Sequence, residues 1–154
     1  TPYRLVRAGV VLALCLLSAQ LGRQAYRASF VYYADTRNPY VYAHTSTNFL
    51  RLANRIEELA GAAPEGHDLL IKVITPDYWP LPWYLRRFSR VGYWNSPPAT
   101  PDAPIVVTSP ELEESLRARF RDTYQVSHYG LRPEVLITLC VRTDLWEAFM
   151  KSRS

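Results

Sequence analysis

The stretch Leu69-Leu-Ile-Lys-Val-Ile74 determines how the rest of this chain is interpreted. It is almost entirely aliphatic, which is typical of a central β-strand covered on both faces. Gly66 stands shortly before it, and Thr75-Pro76 follows it directly, so turn-forming residues bound the strand on both sides. Because a strand covered on both faces needs helices on both sides of its sheet, the stretch predicts an α/β domain.

Segments with helix and strand patterns alternate around this strand. Apolar residues, including Phe49 and Leu50, recur at helical spacing after Ser46 or Thr47, one of which is expected to cap this helix. A short helix is expected over 81–88, with Pro80 or Pro82 in its first turn. Further helices are predicted over 111–121 and 144–151, and further strands over 40–43, 91–94, 104–108, 124–129 and 134–141. This order predicts a three-layer, Rossmann-like, mostly parallel sheet with a C-terminal antiparallel hairpin at or near a sheet edge.

An uncharged, mostly aliphatic segment, Ala8–Gly22, stands near the start of the chain. It is shorter than the roughly 20 residues that span a bilayer core. Flanking arginines can reach toward lipid headgroups, and Tyr3 and Tyr26 stand where interfacial aromatic residues occur, so a helix between these tyrosines can cross a membrane. A secretory signal peptide and a buried core helix are the alternative interpretations.

The sequence therefore predicts a transmembrane helix with basic flanks in residues 1–30 and a soluble α/β domain in residues 31–154. Because the sequence starts at Thr1 without an initiator methionine, we expect it to be a piece of a longer protein.

The net charge of +4 belongs to the membrane segment. Of the 18 Lys and Arg residues, four flank the apolar segment, and the other 14 balance the 14 Asp and Glu residues. A nucleic-acid-binding domain needs a basic face, so we expect no nucleic-acid partner. Two of the flanking arginines precede the apolar segment and two follow it, so charge alone leaves the orientation of the helix open. The four are Arg4, Arg7, Arg23 and Arg27.

Motifs that bind cofactors or metals are absent from the sequence. It contains no GxGxxG, P-loop, HExxH or GxSxG pattern. Cys15 lies in the apolar segment and Cys140 in a predicted buried strand, so neither a disulfide nor a zinc site is expected. We expect this chain to hold no cofactor, no metal and no catalytic residue of its own.

Polar candidate residues lie in the loops that follow the predicted strands. In open α/β sheets, ligands bind beyond the carboxyl ends of the strands. The loops there contribute His44 and Thr45 after the first predicted strand, Asp77 after the second and Asn95 after the third. Such residues also serve as caps, turn formers and hydrogen-bonded structural groups, so a binding role and a structural role both stay open.

The most distinctive segment is Asp77-Tyr-Trp-Pro-Leu-Pro-Trp-Tyr-Leu-Arg-Arg87. Its aromatic rings and arginines can stack on sugar rings and pair with phosphate. Alternatively, the rings pack beneath the sheet or lie at a membrane interface. Leu81, Leu85 and Phe88 are expected to face the sheet and to leave part of the aromatic and arginine side chains outside. The candidate substrate-binding residues are His44, Thr45, Asp77, Tyr78, Trp79, Trp83, Tyr84, Arg86, Arg87 and Asn95.

Three stretches resemble a known family of membrane enzymes. They are RASFVYYADTRNPYVYAHTSTNFLRLANRI (27–56), ITPDYWPLPWYLRRFSRVGYW (74–94) and LRPEVLITLCVRTDLWEAF (131–149). They resemble the C-terminal part of family-39-like multi-spanning glycosyltransferases, which are similar to dolichyl-phosphate-mannose–protein mannosyltransferases and are also described as flippase-activity-associated. The core of the likeness is the Tyr-Trp-Pro-Leu-Pro-Trp-Tyr-Leu-Arg run, from Tyr78 to Arg86.

The resemblance implies enzymes that use polyprenyl-phosphate-linked sugars, with a divalent metal in some relatives. Their catalytic acidic residue belongs to an early extracytoplasmic loop of a transmembrane bundle. This chain would then supply the last membrane helix and the terminal soluble domain, on the extracytoplasmic side. The implied partners are the membrane, the upstream bundle of the same protein, and a lipid-linked sugar or glycan acceptor.

Three functions follow from these observations. The domain is expected to be an accessory domain of a membrane glycosyltransferase that helps to hold acceptor or donor. It can instead be a non-catalytic structural or assembly module of a membrane complex. A membrane-tethered α/β enzyme that acts alone is the third possibility, and the absence of nucleophile and cofactor motifs disfavours it.

Overall fold

The computed structural model describes residues 2–33, 35 and 45–153 and divides into two compact units, Thr1–His44 and Thr45–Ser154. The strand predicted over 40–43 and the candidate residue His44 lie outside the described residues. The remaining predicted helices and strands of the second unit all fall within them.

The first unit contains one long helix. Helix α1 spans Pro2–Tyr26 and continues into a π-helical turn, Arg27–Val31. At 1.5 Å per residue α1 is about 37 Å long, which exceeds a bilayer core of about 30 Å. It is long and apolar enough to cross a membrane, a criterion that a signal sequence also meets, and none of its residues is buried by the described chain.

The second unit begins with helix α2, Thr47–Ala62, whose N-cap is Ser46. The Ser46 hydroxyl accepts a hydrogen bond from the Asn48 backbone N–H at 3.1 Å, which satisfies one of the free donors of the first turn. The apolar face buries Phe49, Leu52, Ala53, Ile56, Leu59 and Ala60. Leu50, which the sequence assigned to this face, is instead exposed.

A five-stranded sheet follows. Its strands are β1 (Ile71–Ile74), β2 (Val91–Trp94), β3 (Ile105–Thr108), β4 (Tyr124–Arg132) and β5 (Val135–Arg142), in the spatial order β2-β1-β3-β5-β4. The pairs β1–β2 and β1–β3 are parallel, whereas β3–β5 and β4–β5 are antiparallel. Four strands thus run in one direction and β5 runs against them. The predicted C-terminal hairpin is confirmed, with β4 at one edge of the sheet and β2 at the other.

Three helices connect or follow these strands. A single turn, α3 (Leu81–Tyr84), lies between β1 and β2, helix α4 (Pro110–Arg117) lies between β3 and β4, and α5 (Thr143–Ser152) follows β5. A 3₁₀ turn, Gly66–Asp68, precedes β1. The helix that the sequence predicted over 81–88 is thus shorter in the structure, because turns replace helical geometry after Tyr84.

Two apolar clusters account for the packing. The larger cluster joins α2, α3 and α5 to one set of alternating strand residues, such as Val73, Val107 and Leu139. The smaller one joins Leu116 of α4 to the other set, which includes Val106 and Cys140. Because successive strand residues point to opposite faces, α2 and α5 cover one face of the sheet and α4 covers the other. The domain is therefore a mixed α/β domain.

Candidate functional site

Strands β1, β2 and β3 end at the same level. Ile74 is in register with Trp94 and with Thr108, the last residues of the three strands. We call this side of the sheet the carboxyl edge. Helix α2 begins here as well, because the Ser46 backbone N–H donates to the Leu131 carbonyl of β4 at 2.9 Å.

The carboxyl edge collects several of the candidate residues that the sequence predicts. Thr45 precedes the α2 cap, and Asn95 is exposed directly after β2. Asp77 follows β1 and forms a salt bridge with Arg132 of β4, across 55 positions of sequence. The Asp77 backbone N–H also donates to the Thr75 hydroxyl at 3.2 Å. Asp77 thus closes a turn and links two segments of the edge.

Two of the candidate rings are structural. Tyr78 is half-buried with its ring centroid 5.1 Å from that of Tyr93, and Tyr84 makes an edge-to-face contact of 5.1 Å with Phe49. Burial raises the pKa of Tyr93, and the neighbouring Tyr78 adds to this shift. Aromatic contacts of this kind stabilise a core. Tyr78 and Tyr84 therefore fix the segment to the domain instead of presenting open binding faces.

Trp79 and Trp83 face outward, with 67% and 62% of their surface exposed. The Arg86 guanidinium lies 4.4 Å from the centroid of the Trp83 ring and donates to the Trp83 carbonyl at 2.8 Å. Arg87 is exposed beside it. We call Trp79, Trp83, Arg86 and Arg87 the tryptophan–arginine surface.

Buried leucines hold this surface in place. Leu81 and Leu85 are buried in the larger apolar cluster together with Phe88. The sequence-based prediction that these three face inward while part of the aromatic and arginine side chains face outward is confirmed. Because the short helix is anchored from beneath, the tryptophan rings above it are presented without being needed for the core.

A second polar cluster was not foreseen from the sequence. Glu113 of α4 contacts two strand residues: its carboxylate accepts from the Thr138 hydroxyl at 3.3 Å and lies 3.7 Å from His128 Nδ1. His128 Nδ1 is also 3.1 Å from the Thr138 hydroxyl, and Arg117 lies 3.0 Å from the other Glu113 oxygen. The i,i+4 spacing of Glu113 and Arg117 was a visible signal, but no sequence spacing relates them to the β4–β5 hairpin.

Cys140 lies near this polar cluster, and its thiol is expected to be unreactive. Burial raises the pKa of its thiol to about 12, and the Glu113 carboxylate adds to the shift while Arg117 opposes it. A buried, protonated thiol is neither a nucleophile nor a ready metal ligand. Across residues 2–33, 35 and 45–153, no group of three or more His, Cys, Asp or Glu side chains is placed to hold a metal ion.

The chemistry that the described residues offer is recognition. The outward tryptophan rings can stack on apolar faces of a ligand, and the adjacent arginines can pair with an anion. No model of a known protein family, no curated protein and no solved structure matches this chain. The family resemblance of its sequence therefore stays a prediction.

Proposed function

We propose that this chain is a membrane-anchored accessory domain of a glycosyltransferase that uses polyprenyl-phosphate-linked sugars. In this proposal α1 is a transmembrane helix, the α/β domain is extracytoplasmic, and an upstream membrane bundle of the same protein carries the catalytic residue. The domain helps to hold the glycan acceptor or the lipid-linked donor and performs no bond-breaking step itself. Its sheet, with α2 and α5 on one face and α4 on the other, is proposed to be a three-layer, Rossmann-like arrangement.

The tryptophan–arginine surface is the observation that carries this proposal. Large aromatic rings are costly to leave in water, and two exposed ones within one well-anchored segment indicate a binding surface. The apolar face of a sugar ring stacks well on indole, while phosphate pairs with guanidinium groups. A phosphorylated or lipid-linked sugar offers both features in one ligand.

In this proposal Asp77 has a structural role and not a proton-transfer role. Its carboxylate is already engaged by Arg132, and its backbone N–H by Thr75. A general base needs a free position near the reacting proton. We therefore propose that the Asp77–Arg132 salt bridge stabilises the carboxyl edge next to the tryptophan–arginine surface.

The binding role is tested with Trp83→Ala in the full chain, purified in detergent. The probe is a polyprenyl-phosphate sugar, titrated while intrinsic fluorescence is recorded. Losing one stacked ring is expected to weaken binding by about two- to thirteenfold, because an aromatic contact contributes about 0.5–1.5 kcal/mol. Stability should change little, since Trp83 is exposed.

Met150→Ala, which removes another exposed apolar side chain, is the matched control and should leave binding unchanged. If Trp83→Ala and Met150→Ala bind the probe equally well, the sugar-binding role is wrong. If Trp83→Ala unfolds the domain, the ring belongs to the core and the binding surface has been misidentified.

A structural or assembly module is the second candidate function. Exposed tryptophan and arginine are also enriched at the centres of protein interfaces. In that case Trp83→Ala should leave sugar binding unaffected and reduce copurification of the chain with the rest of its membrane complex. Trp83→Ala therefore distinguishes the two functions when both sugar binding and copurification are measured.

A further inference from the structure

Exposed apolar side chains of the α/β domain are concentrated at one edge. Within residues 45–153, five large apolar side chains are exposed. Four of them lie at or next to the carboxyl edge: Leu50 in the first turn of α2, Trp79 and Trp83 after β1, and Leu136 at the start of β5. The fifth, Met150, lies near the end of α5.

Contacts between neighbouring residues connect these four positions. Phe49, the neighbour of Leu50, packs against Tyr84, the neighbour of Trp83. Leu136 pairs with Gly130, and a Cβ at Gly130 would stand 3.5 Å from the Ser46 hydroxyl at the start of α2. The four side chains therefore belong to adjoining segments of one end of the domain.

The chain also enters the domain at this end. Ser46, the second residue of the α/β unit, is held to Leu131 by a backbone hydrogen bond. The α/β unit therefore begins at the same edge that exposes the apolar side chains. Helix α5, in contrast, begins where β3 starts, because the Arg142 N–H donates to the Pro104 carbonyl.

Charge is distributed unevenly along the edge. Arg86 and Arg87 lie next to the tryptophans, whereas the exposed acidic residues Glu111 and Glu134 stand at the start of α4 and in the β4–β5 turn. Tryptophan and arginine together are the side chains that proteins place at the level of lipid headgroups, where indole meets the interface and guanidinium meets phosphate.

We propose that the carboxyl edge docks on a phospholipid surface, with Leu50, Trp79, Trp83 and Leu136 entering the headgroup region and Arg86 and Arg87 contacting lipid phosphates. A membrane-spanning α1 brings the domain to that surface, and the edge then fixes its orientation there. This inference rests on the membrane anchoring in the proposed function and does not require sugar binding. It also sets the tryptophan rings at the depth of a lipid-linked phosphate.

The test uses the full chain in nanodiscs made of neutral and anionic phospholipids. The background is Cys15→Ser, which leaves buried Cys140 as the only native thiol. An environment-sensitive fluorophore is attached at Leu136→Cys or at Met150→Cys, two positions of similar exposure, 55% and 50%. A nitroxide on the lipid headgroup then reports how close each fluorophore lies to the membrane.

Docking predicts a blue-shifted emission and strong quenching at position 136 and neither effect at position 150. Adding Trp79→Glu and Trp83→Glu should abolish the quenching at 136, while Met150→Glu should leave it intact. Circular dichroism of each variant checks the fold. Equal quenching at 136 and 150, or quenching at 136 that survives both glutamates, would overturn the proposal.

The experiments distinguish a failure of the docking proposal from a failure of the proposed function. Quenching at 136 in a protein that binds no polyprenyl-phosphate sugar would support docking and contradict the sugar-binding role. Sugar binding with no quenching at 136 would support the proposed function and contradict docking. Protection of position 136 only after a membrane partner protein is added would also overturn lipid docking and favour the assembly module.

Discussion

Gly92 is the residue at which side-chain size matters most in strand β2. A Cβ built on Gly92 would stand 2.2 Å from Cη2 and 2.5 Å from Cζ3 of Trp94, so the indole lies directly over the glycine. Lys72 Nζ is 5.8 Å from the centroid of the same indole ring. The absence of a side chain at position 92 thus makes room for a ring that covers the outer strand of the sheet.

We expect Gly92→Ala to destabilise the domain by about 1 kcal/mol or more. The added methyl group forces the Trp94 ring away from the sheet, and the lost packing outweighs the gain of replacing a flexible glycine. Chemical denaturation followed by tryptophan emission measures the change. Gly61→Ala is the control, because nothing lies within 4 Å of its Cβ position in α2. That variant should be stabilised by about 0.5–1 kcal/mol, so a common sign for both changes would contradict this account.

Tyr124 links the start of β4 to the loop before β3. Its hydroxyl donates to the Ala103 carbonyl at 3.0 Å and accepts from the Ala103 N–H at 3.2 Å. Burial raises the pKa of Tyr124 to about 12; the hydrogen bond to Ala103 and the Arg142 charge oppose this shift, while Asp102 and Asp122 add to it. The folded state therefore favours the neutral phenol more than the unfolded chain does.

The pH dependence of stability should report this difference. Below the unfolded pKa of about 10 the stabilisation by neutral Tyr124 is complete, and it is lost as the pH rises from there to about 12. In Tyr124→Phe the hydrogen bonds are absent at every pH. The difference in unfolding free energy between the two proteins should therefore shrink over this range. A constant difference would show that Tyr124 does not titrate as its surroundings require.

At the scale of elements, the start of helix α2 carries a testable contribution. Ser46→Ala removes the side-chain acceptor for the Asn48 N–H and is expected to cost about 1 kcal/mol in unfolding free energy. Ser115→Ala is the control, because its exposed hydroxyl donates only within α4, to the Leu112 carbonyl. That change should stay within about 0.5 kcal/mol. Equal effects of the two substitutions would argue against a capping role for Ser46.

Elements with strong local patterns were predictable from the sequence. Strand β2 matches its predicted range, and β1 begins two residues later than predicted, because Leu69 and Leu70 precede the ladder. The predicted cap and buried face of α2 are confirmed except at Leu50. Helix α3 is shorter than predicted. Leu85 lies in a turn and Phe88 lies just after it, and both side chains reach the core without helical geometry.

Contacts between distant elements were not predictable in the same way. The Asp77–Arg132 salt bridge depends on β4 extending past the other strand ends, which no local pattern shows. The cluster of Glu113, His128 and Thr138 depends on β5 lying between β3 and β4. Sequence periodicity tells which face a residue occupies, whereas strand order decides which neighbour it meets there.

At the scale of the whole molecule, the side of the membrane on which the domain lies is the prediction to test. Ser96 is exposed after β2, so Ser96→Cys in the Cys15→Ser background offers one accessible thiol. We expect a membrane-impermeant maleimide to label it in intact cells, because the proposed function requires an extracytoplasmic domain. The Cys15→Ser protein without the new thiol is the control. Labelling only after the cells are opened would place the domain on the cytoplasmic side.

Strand β2 has a consequence for the behaviour of the protein at high local density. It is an outer strand of only four residues, and the following loop contains Pro97, Pro98, Pro101 and Pro104, which lack backbone donors. A second copy approaching this side finds too few hydrogen-bonding groups in a row to extend the sheet. Crowded copies are therefore expected not to join through strand β2.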